Sequence, residues 1–231
     1  MSRCGDVALR GMLSHMEEPQ VTPDVSEFAF SRLIASGGAT NQLTLTSEGH
    51  LLVTVRGEMM SRTDDLLLCS DNVRMRPLNW RMQGRRVEEV FHRLAAIEGE
   101  GYFVLSREEE AFHVVRLQRD LCFFVEHRLW ALESTRMWDV GTLPGSRGDR
   151  QMQLVRVAGE GLIAMRVPGE LVTIKVTPDR PHRVRTDAFV GWVGNVVPAM
   201  DDYVEYLRCE GEGAVFVSLP RRDAGEVRSP E

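Results

Sequence analysis

The sequence predicts an all-β chain, a sandwich-like single domain built from three related β units. Three observations carry that expectation. The tripeptide GEG occurs at Gly99–Gly101, Gly159–Gly161 and Gly211–Gly213, followed each time by an apolar run: YFVL, LIAM and AVFV. Shifting the first copy by 60 residues keeps apolar positions in step without a gap: Leu94 falls on Leu154, Ile97 on Val157, Phe112 on Val172, Val114 on Ile174 and Leu129 on Phe189. A second echo links RTDDLLLCSDNV (Arg62–Val73) with RTDAFVGWVGNV (Arg185–Val196), 123 residues apart, with five identities in twelve positions. The same 60-residue shift sets VEHRLWALESTR (Val125–Arg136) in that place in the middle copy. Each unit reads as polar turn, apolar strand, connection, GEG, apolar strand. A period near 60 exceeds that of most solenoid repeats and predicts a closed three-part domain rather than an open array.

In chain order, residues 1–40 read as an N-terminal arm and lead-in strand, polar before Ser26 and carrying Pro19 and Pro23. Residues 41–220 form one repeated-β domain with units at about 41–106, 107–166 and 167–220, and 221–231 form a tail. LTLT (Leu43–Thr46) and LLVTV (Leu51–Val55) alternate as strands do, with SEGH as the turn between them. RVEEVFHRL (Arg86–Leu94) and AMDDYVEYL (Ala199–Leu207) place apolar residues at helical spacing, but periodicity alone leaves helix and strand both open. LVTIKVT (Leu171–Thr177) alternates cleanly, and TPDRP (Thr177–Pro181) and LPGSRGD (Leu143–Asp149) are turn signals. Gly99, Gly101, Gly159, Gly161, Gly211 and Gly213 are the candidate structural residues. Each is read as a tight turn, or a bulge where two backbones pass closely, because glycine tolerates positive φ.

Composition excludes several functions. With 28 basic and 34 acidic side chains the 231-residue chain carries −6, which lacks the footprint of a duplex nucleic-acid binder. Lys175 is the only lysine, which argues against Schiff-base chemistry. Cys4, Cys69, Cys122 and Cys209 lie too far apart for a zinc knuckle or redox pair; Cys69 and Cys122, inside apolar runs, read as small buried thiols. The N-terminal sequence, without an apolar run and small-residue cleavage site, is not expected to be a secretory signal, and Ala188–Met200, broken by Gly, Asn and Pro, is too short for a membrane helix. The expected compartment is a reducing cytoplasm.

No catalytic pattern emerges either. The six histidines are scattered without HxH or HExxH spacing, so no metal and no cofactor are expected. His113 reads as solvated, as does the acidic loop Glu108–Glu110. Asp64, His127 and Asp187 occupy matching positions in the three units, and strand-entry turn chemistry accounts for them better than convergence on an axis. SGGATN (Ser36–Asn41) reads as a turn rather than a phosphate cradle. Trp130 and Trp192 lie in apolar strands and read as core rather than as base-stacking platforms.

The RTD turn before an apolar strand, the GEG–YFVL and GEG–LIAM pairs, the late RPHRVRTDAFVGW and the closing CEGEGAVFVSLP together resemble the altered-inheritance-of-mitochondria protein twenty-four family. The resemblance spans roughly Gln42 to Pro220. It implies a fold related to the tryptophan-attenuation RNA-binding protein: pseudo-threefold β units of short double-stranded β-helix type that oligomerise. Mitochondrial members are associated with inner-membrane organisation; the family supplies no active-site residues to carry over.

The expected function is therefore a noncatalytic oligomeric β-module, a scaffold or binding protein whose partner is itself or a membrane-associated protein. The open sheet edges of β units call for cover, and the resemblance favours a trimer or a multiple of one. The alternatives are a metal- or small-ligand-binding cupin-like enzyme and a single-stranded RNA-binding protein.

Overall fold

The structure, a computed structural model, describes residues 22, 24–34, 41–77, 81–82, 85–86, 93–133, 137–146, 151–200 and 205–220. The chain divides after Ala35 into two units. The first contains a short helix, α1 (Val25–Ser31), where the sequence reading placed an arm and lead-in strand. A capping box explains the helix. The Asp24 carboxylate accepts from the Ser26 and Glu27 backbone N–H groups at 2.7 and 2.9 Å, and the Glu27 side chain accepts from the Asp24 N–H.

The described residues of the second unit form β strands, with one 3-10 turn at Glu126–Arg128. The unit opens with β1 (Leu43–Leu45), joined to β2 (Leu51–Arg62) by a turn in which Gly49 N–H donates to the Thr46 carbonyl at 3.0 Å. From β2 onward one plan recurs three times: a first strand, a second strand, and a long third strand that pairs between the two. In repeat one the second strand is broken into β3 (Leu66–Cys69) and β4 (Val73–Pro77). The small hairpin β5 (Arg81–Met82) and β6 (Arg85–Arg86) follows, and β7 (Leu94–Leu105) returns through the middle. Repeat two has β8 (Ala111–Val125), then β9 (Leu129–Glu133) with β10 (Met137–Thr142), then β11 (Gln153–Val167). Repeat three splits its first strand instead, into β12 (Gly169–Val176) and β13 (His182–Arg185), followed by β14 (Phe189–Met200) and β15 (Tyr206–Pro220).

The registers establish the equivalence. Met60 pairs with Ala96, Phe123 with Arg156 and Arg183 with Arg208, each partner three residues before the first glycine of its GEG. Cys69 pairs with Phe103, Leu132 with Ile163 and Trp192 with Val215, each partner four residues after that glycine. A β-bulge falls at the same place in every second strand: at Leu67, at Trp130 and at Val190. An extra residue there sharpens local twist and turns the strand toward the neighbouring repeat.

Repeats join by pairing the first strand of one with the second strand of the next. Met60 opposes Leu132 where β2 meets β9, and Phe123 opposes Trp192 where β8 meets β14. The result is a 13-stranded antiparallel sheet whose main path runs β12-β15-β14-β8-β11-β9-β2-β7-β3, with β1, β4, β10 and β13 pairing β2, β7, β11 and β15 off that path. It has two ends, so the closed domain expected from the repeat period is not formed. Closure needs a third junction of the same kind, and no pairing joins β3 to β13.

Among the described residues three apolar clusters form the core of the second unit, containing Phe124, Phe103 and Phe189 respectively. Burial of each such ring contributes roughly 1.5–3 kcal/mol. Leu51–Val55 are all buried because both faces of β2 are covered there, so the expected in–out alternation is lost. In β12 it is kept, with Thr173 and Lys175 exposed and Val176 buried. Residues 87–92 of the first helix-or-strand segment and 201–204 of the second lie outside the described residues; Leu94, Ala199, Met200, Tyr206 and Leu207 are in strands. Among the described residues no helix is long and apolar enough to cross a membrane.

Candidate functional site

The three equivalent junction positions are where this chain departs from its own repetition. At the first junction Arg62 leaves β2 and enters repeat two. Its Nη2 donates to Glu126 Oε1 at 3.0 Å and its Nε to the Leu129 carbonyl at 3.1 Å, with the guanidinium 5.3 Å from the centre of the Trp130 ring. Burial pushes the Arg62 guanidinium down and the Glu126 carboxyl up from their ordinary values, and their mutual attraction opposes both shifts. Arg166 covers Trp130 at 3.7 Å and donates to Glu110 and Asp65 at 2.9 and 2.6 Å. Glu110 also accepts from Arg128 at 2.9 Å, so it holds two arginines of its own repeat rather than standing in a solvated loop tip, and the Arg166–Asp65 pair is the contact that reaches repeat one.

The second junction is apolar. Phe123 and Trp192 stack with ring centres 4.4 Å apart and planes within 7°. They floor a groove of about 310 Å³ bounded by Val140, Leu143, Val196 and Pro198, with Asp139 and Arg156 at the same site.

The third junction is only half present. In repeats two and three the bulged strand is buried: Leu129, Trp130, Ala131 and Leu132 are at most 2 % exposed, and Phe189, Val190 and Trp192 at most 5 %. Their counterparts in β3, Leu66, Leu67 and Leu68, are 39 %, 55 % and 40 % exposed. Cys69, expected to be a buried thiol, is exposed on the same strand. The reason is topological: β9 is covered by β2 and β14 by β8, while β3 pairs on one side only.

The six candidate glycines lie inside β7, β11 and β15, not at turns. At Gly99 and Gly211 two backbones pass closely, as in the second of the two readings the sequence offered, and a β-bulge falls at Gly159. A Cβ on Gly99 would meet the Asn72 carbonyl oxygen at 2.2 Å, and one on Gly211 the Asn195 oxygen at 2.1 Å, at φ of +120° and +104°. Asp64, His127 and Asp187 stand at the three strand-entry turns. Asp64 lies 3.6 Å from Arg62 and Asp187 pairs with Arg185, so each carboxylate is engaged by its own repeat. Ring Nε2 of His113 lies 3.4 Å from the Gly169 carbonyl oxygen. Trp130 and Trp192 are buried, as their strands predict. Ser36–Thr40 lie outside the described residues. Among the described residues no three His, Cys, Asp or Glu side chains are grouped to hold a metal ion.

Arg62, Glu126, Arg166 and the open edge of β3 were not singled out by the sequence. The one signal for the edge is that LLLC repeats, in apolar character, two segments that the rest of the chain covers.

The fold and the junctions define a three-repeat antiparallel β protein with an open sheet. No protein-family model matches the sequence, and no curated protein does. Among solved structures, a crystallographically determined Streptococcus pyogenes protein is similar in fold, with a TM-score of 0.57 at 11% identity. The match covers 77% of this chain and 92% of that one.

Proposed function

We propose that the chain is a noncatalytic β-module that works by self-assembly, a cytoplasmic scaffold or binding protein akin to the altered-inheritance-of-mitochondria protein twenty-four family. The observation that carries this reading is the exposure of Leu66–Leu68 where both equivalent strands are buried. An unpaired apolar edge is a pairing surface, and contiguous exposed apolar side chains mark interaction sites. The resemblance supports a trimer or a multiple of it and a membrane-associated protein as the further partner. Size-exclusion chromatography with light scattering on the full chain tests the assembly. The expected mass is three times 26.1 kDa or a multiple of that; a single 26.1 kDa species at micromolar concentration would overturn the reading.

A further inference from the structure

We propose that the uncovered strand β3 of one copy pairs antiparallel with β13 of a second copy, in the register Leu68↔Val184, Cys69↔Arg183 and Ser70↔His182. The inference rests on the self-assembly reading and specifies the surface that performs it.

The register follows from the two junctions the chain makes internally. Met59, Met60 and Ser61 of β2 oppose Glu133, Leu132 and Ala131; Cys122, Phe123 and Phe124 of β8 oppose Val193, Trp192 and Gly191. By position against the central strand, the matching donors in repeat three are His182, Arg183 and Val184. The matching receivers in repeat one are Leu68 and Cys69 of β3 and the next residue, Ser70, whose N–H donates to the Tyr102 carbonyl of β7 at 2.9 Å. Among the described strands β13 pairs with β15 alone and β3 with β7 alone, so the chain ends in one unused donor and one unused receiver of a single junction.

Side-chain chemistry agrees with that pairing. Arg185 occupies in β13 the place of Arg62 in β2: Arg62 pairs with Leu94 and Arg185 with Tyr206, each partner five residues before its GEG. Arg62 is spent on the Leu129 carbonyl across the first junction. The matching carbonyl on β3 belongs to Leu66, and Arg185, with its side chain 62% exposed, stands on the strand that would reach it. The receiving strand is flanked by Asp64, Asp65 and Asp71, while the donor strand carries Arg183 and Arg185, so the two edges are opposite in charge, with Asp65 also held by Arg166 and Arg185 by Asp187 within one chain. Because donor and receiver differ, the contact is head-to-tail, and copies close into a ring or continue as a filament.

Cross-linking the full chain tests this. Opposed residues of an antiparallel pair sit roughly 4.5–5.5 Å apart at Cα, within disulfide reach. In a Cys4→Ser background, Arg183→Cys should form an intermolecular disulfide with native Cys69 under mild oxidation, seen as covalent multiples on a non-reducing gel and lost in Cys69→Ser. Should Arg183→Cys fail to fold, Ser70→Cys with His182→Cys in Cys69→Ser provides the neighbouring pair and should give the same ladder. A disulfide within one chain would mean that β13 closes onto its own β3 and would overturn the proposal. Oligomers by light scattering with no disulfide from either pair would overturn the junction while leaving self-assembly intact. A monomer by light scattering would remove both.

Discussion

Arg62 and Glu126 meet at 3.0 Å across the first junction with side chains only 4% and 6% exposed, one contributed by each repeat. A buried ion pair adds little net stability over apolar residues of the same volume, but removing one partner strands a desolvated charge. Arg62→Met or Glu126→Leu alone should therefore cost about 3–5 kcal/mol, while the double variant recovers most of that loss. Urea midpoints of the four proteins in a double-mutant cycle measure it; additive losses would show that the pair does not act as a unit.

The GEG glycines make a graded prediction. Gly99→Val and Gly211→Val force a Cβ onto a carbonyl oxygen at 2.2 and 2.1 Å with φ positive, so each should lower the thermal midpoint far more than a surface change. Gly57→Ala meets nothing within 4 Å but has φ of +94°, and should cost only the backbone strain of roughly 1–3 kcal/mol. Gly141→Ala has open space and no left-handed backbone; it should be neutral or stabilising by about 0.4–1 kcal/mol. Thermal melts that fail to rank the four in this order would contradict the close-approach role.

Burial pushes the Cys122 and Cys209 thiols up to about 11 from an ordinary value of 9.0. The native state thus holds these protons to higher pH than the unfolded chain does. The associated stability is complete below pH 9 and is lost as pH rises through about 11, by roughly 2–3 kcal/mol for each thiol. Urea midpoints between pH 8 and 11 should fall accordingly, and Cys122→Ala with Cys209→Ala should flatten the slope. An unchanged slope in that double variant would assign the alkaline loss elsewhere.

Thiol labelling distinguishes the three described cysteines. Cys122 and Cys209 should resist an aromatic disulfide reagent in the native protein, since only an accessible thiolate reacts. Cys69 should react when the protein is dilute and become slower as concentration rises and β3 is covered. A Cys69 rate independent of concentration would argue against a covered edge.

The alternative functions have their own readouts. EDTA should leave the melting temperature unchanged, because removing a metal bound to the native state would lower it. Fluorescent single-stranded RNA should not bind at physiological salt; tight, salt-sensitive binding would favour a nucleic-acid role.

The repeat was legible because GEG and the RTD echo occupy matching registers, and a pattern met three times separates signal from composition. Its openness was not legible. LLLC in β3 carries the same apolar signal as LWAL and FVGW, and burial depends on a neighbouring strand that local sequence does not describe. Cys69 was misread for that reason. Arg62 and Glu126 escaped notice because a buried charge looks, in sequence, like any of the chain's surface charges. The glycines allowed two readings in sequence, a tight turn or a close passage of two backbones; Gly99 and Gly211 lie in strand interiors that pass close to Asn72 and Asn195, which is the second. The Asp24–Glu27 spacing of the α1 capping box is present in the sequence, but the expectation for residues 1–40 did not draw on it.

Hydrogen exchange at β3 tests the central claim most directly, because amides exchange when their hydrogen bonds open or were never made. In the assembled protein, the amides of Leu66–Cys69, including those pointing away from β7, should be protected as strongly as those of Leu129–Leu132, with protection lost on dilution. Outward-pointing β3 amides that exchange at the same fast rate at every concentration would show a permanently free edge and contradict the account.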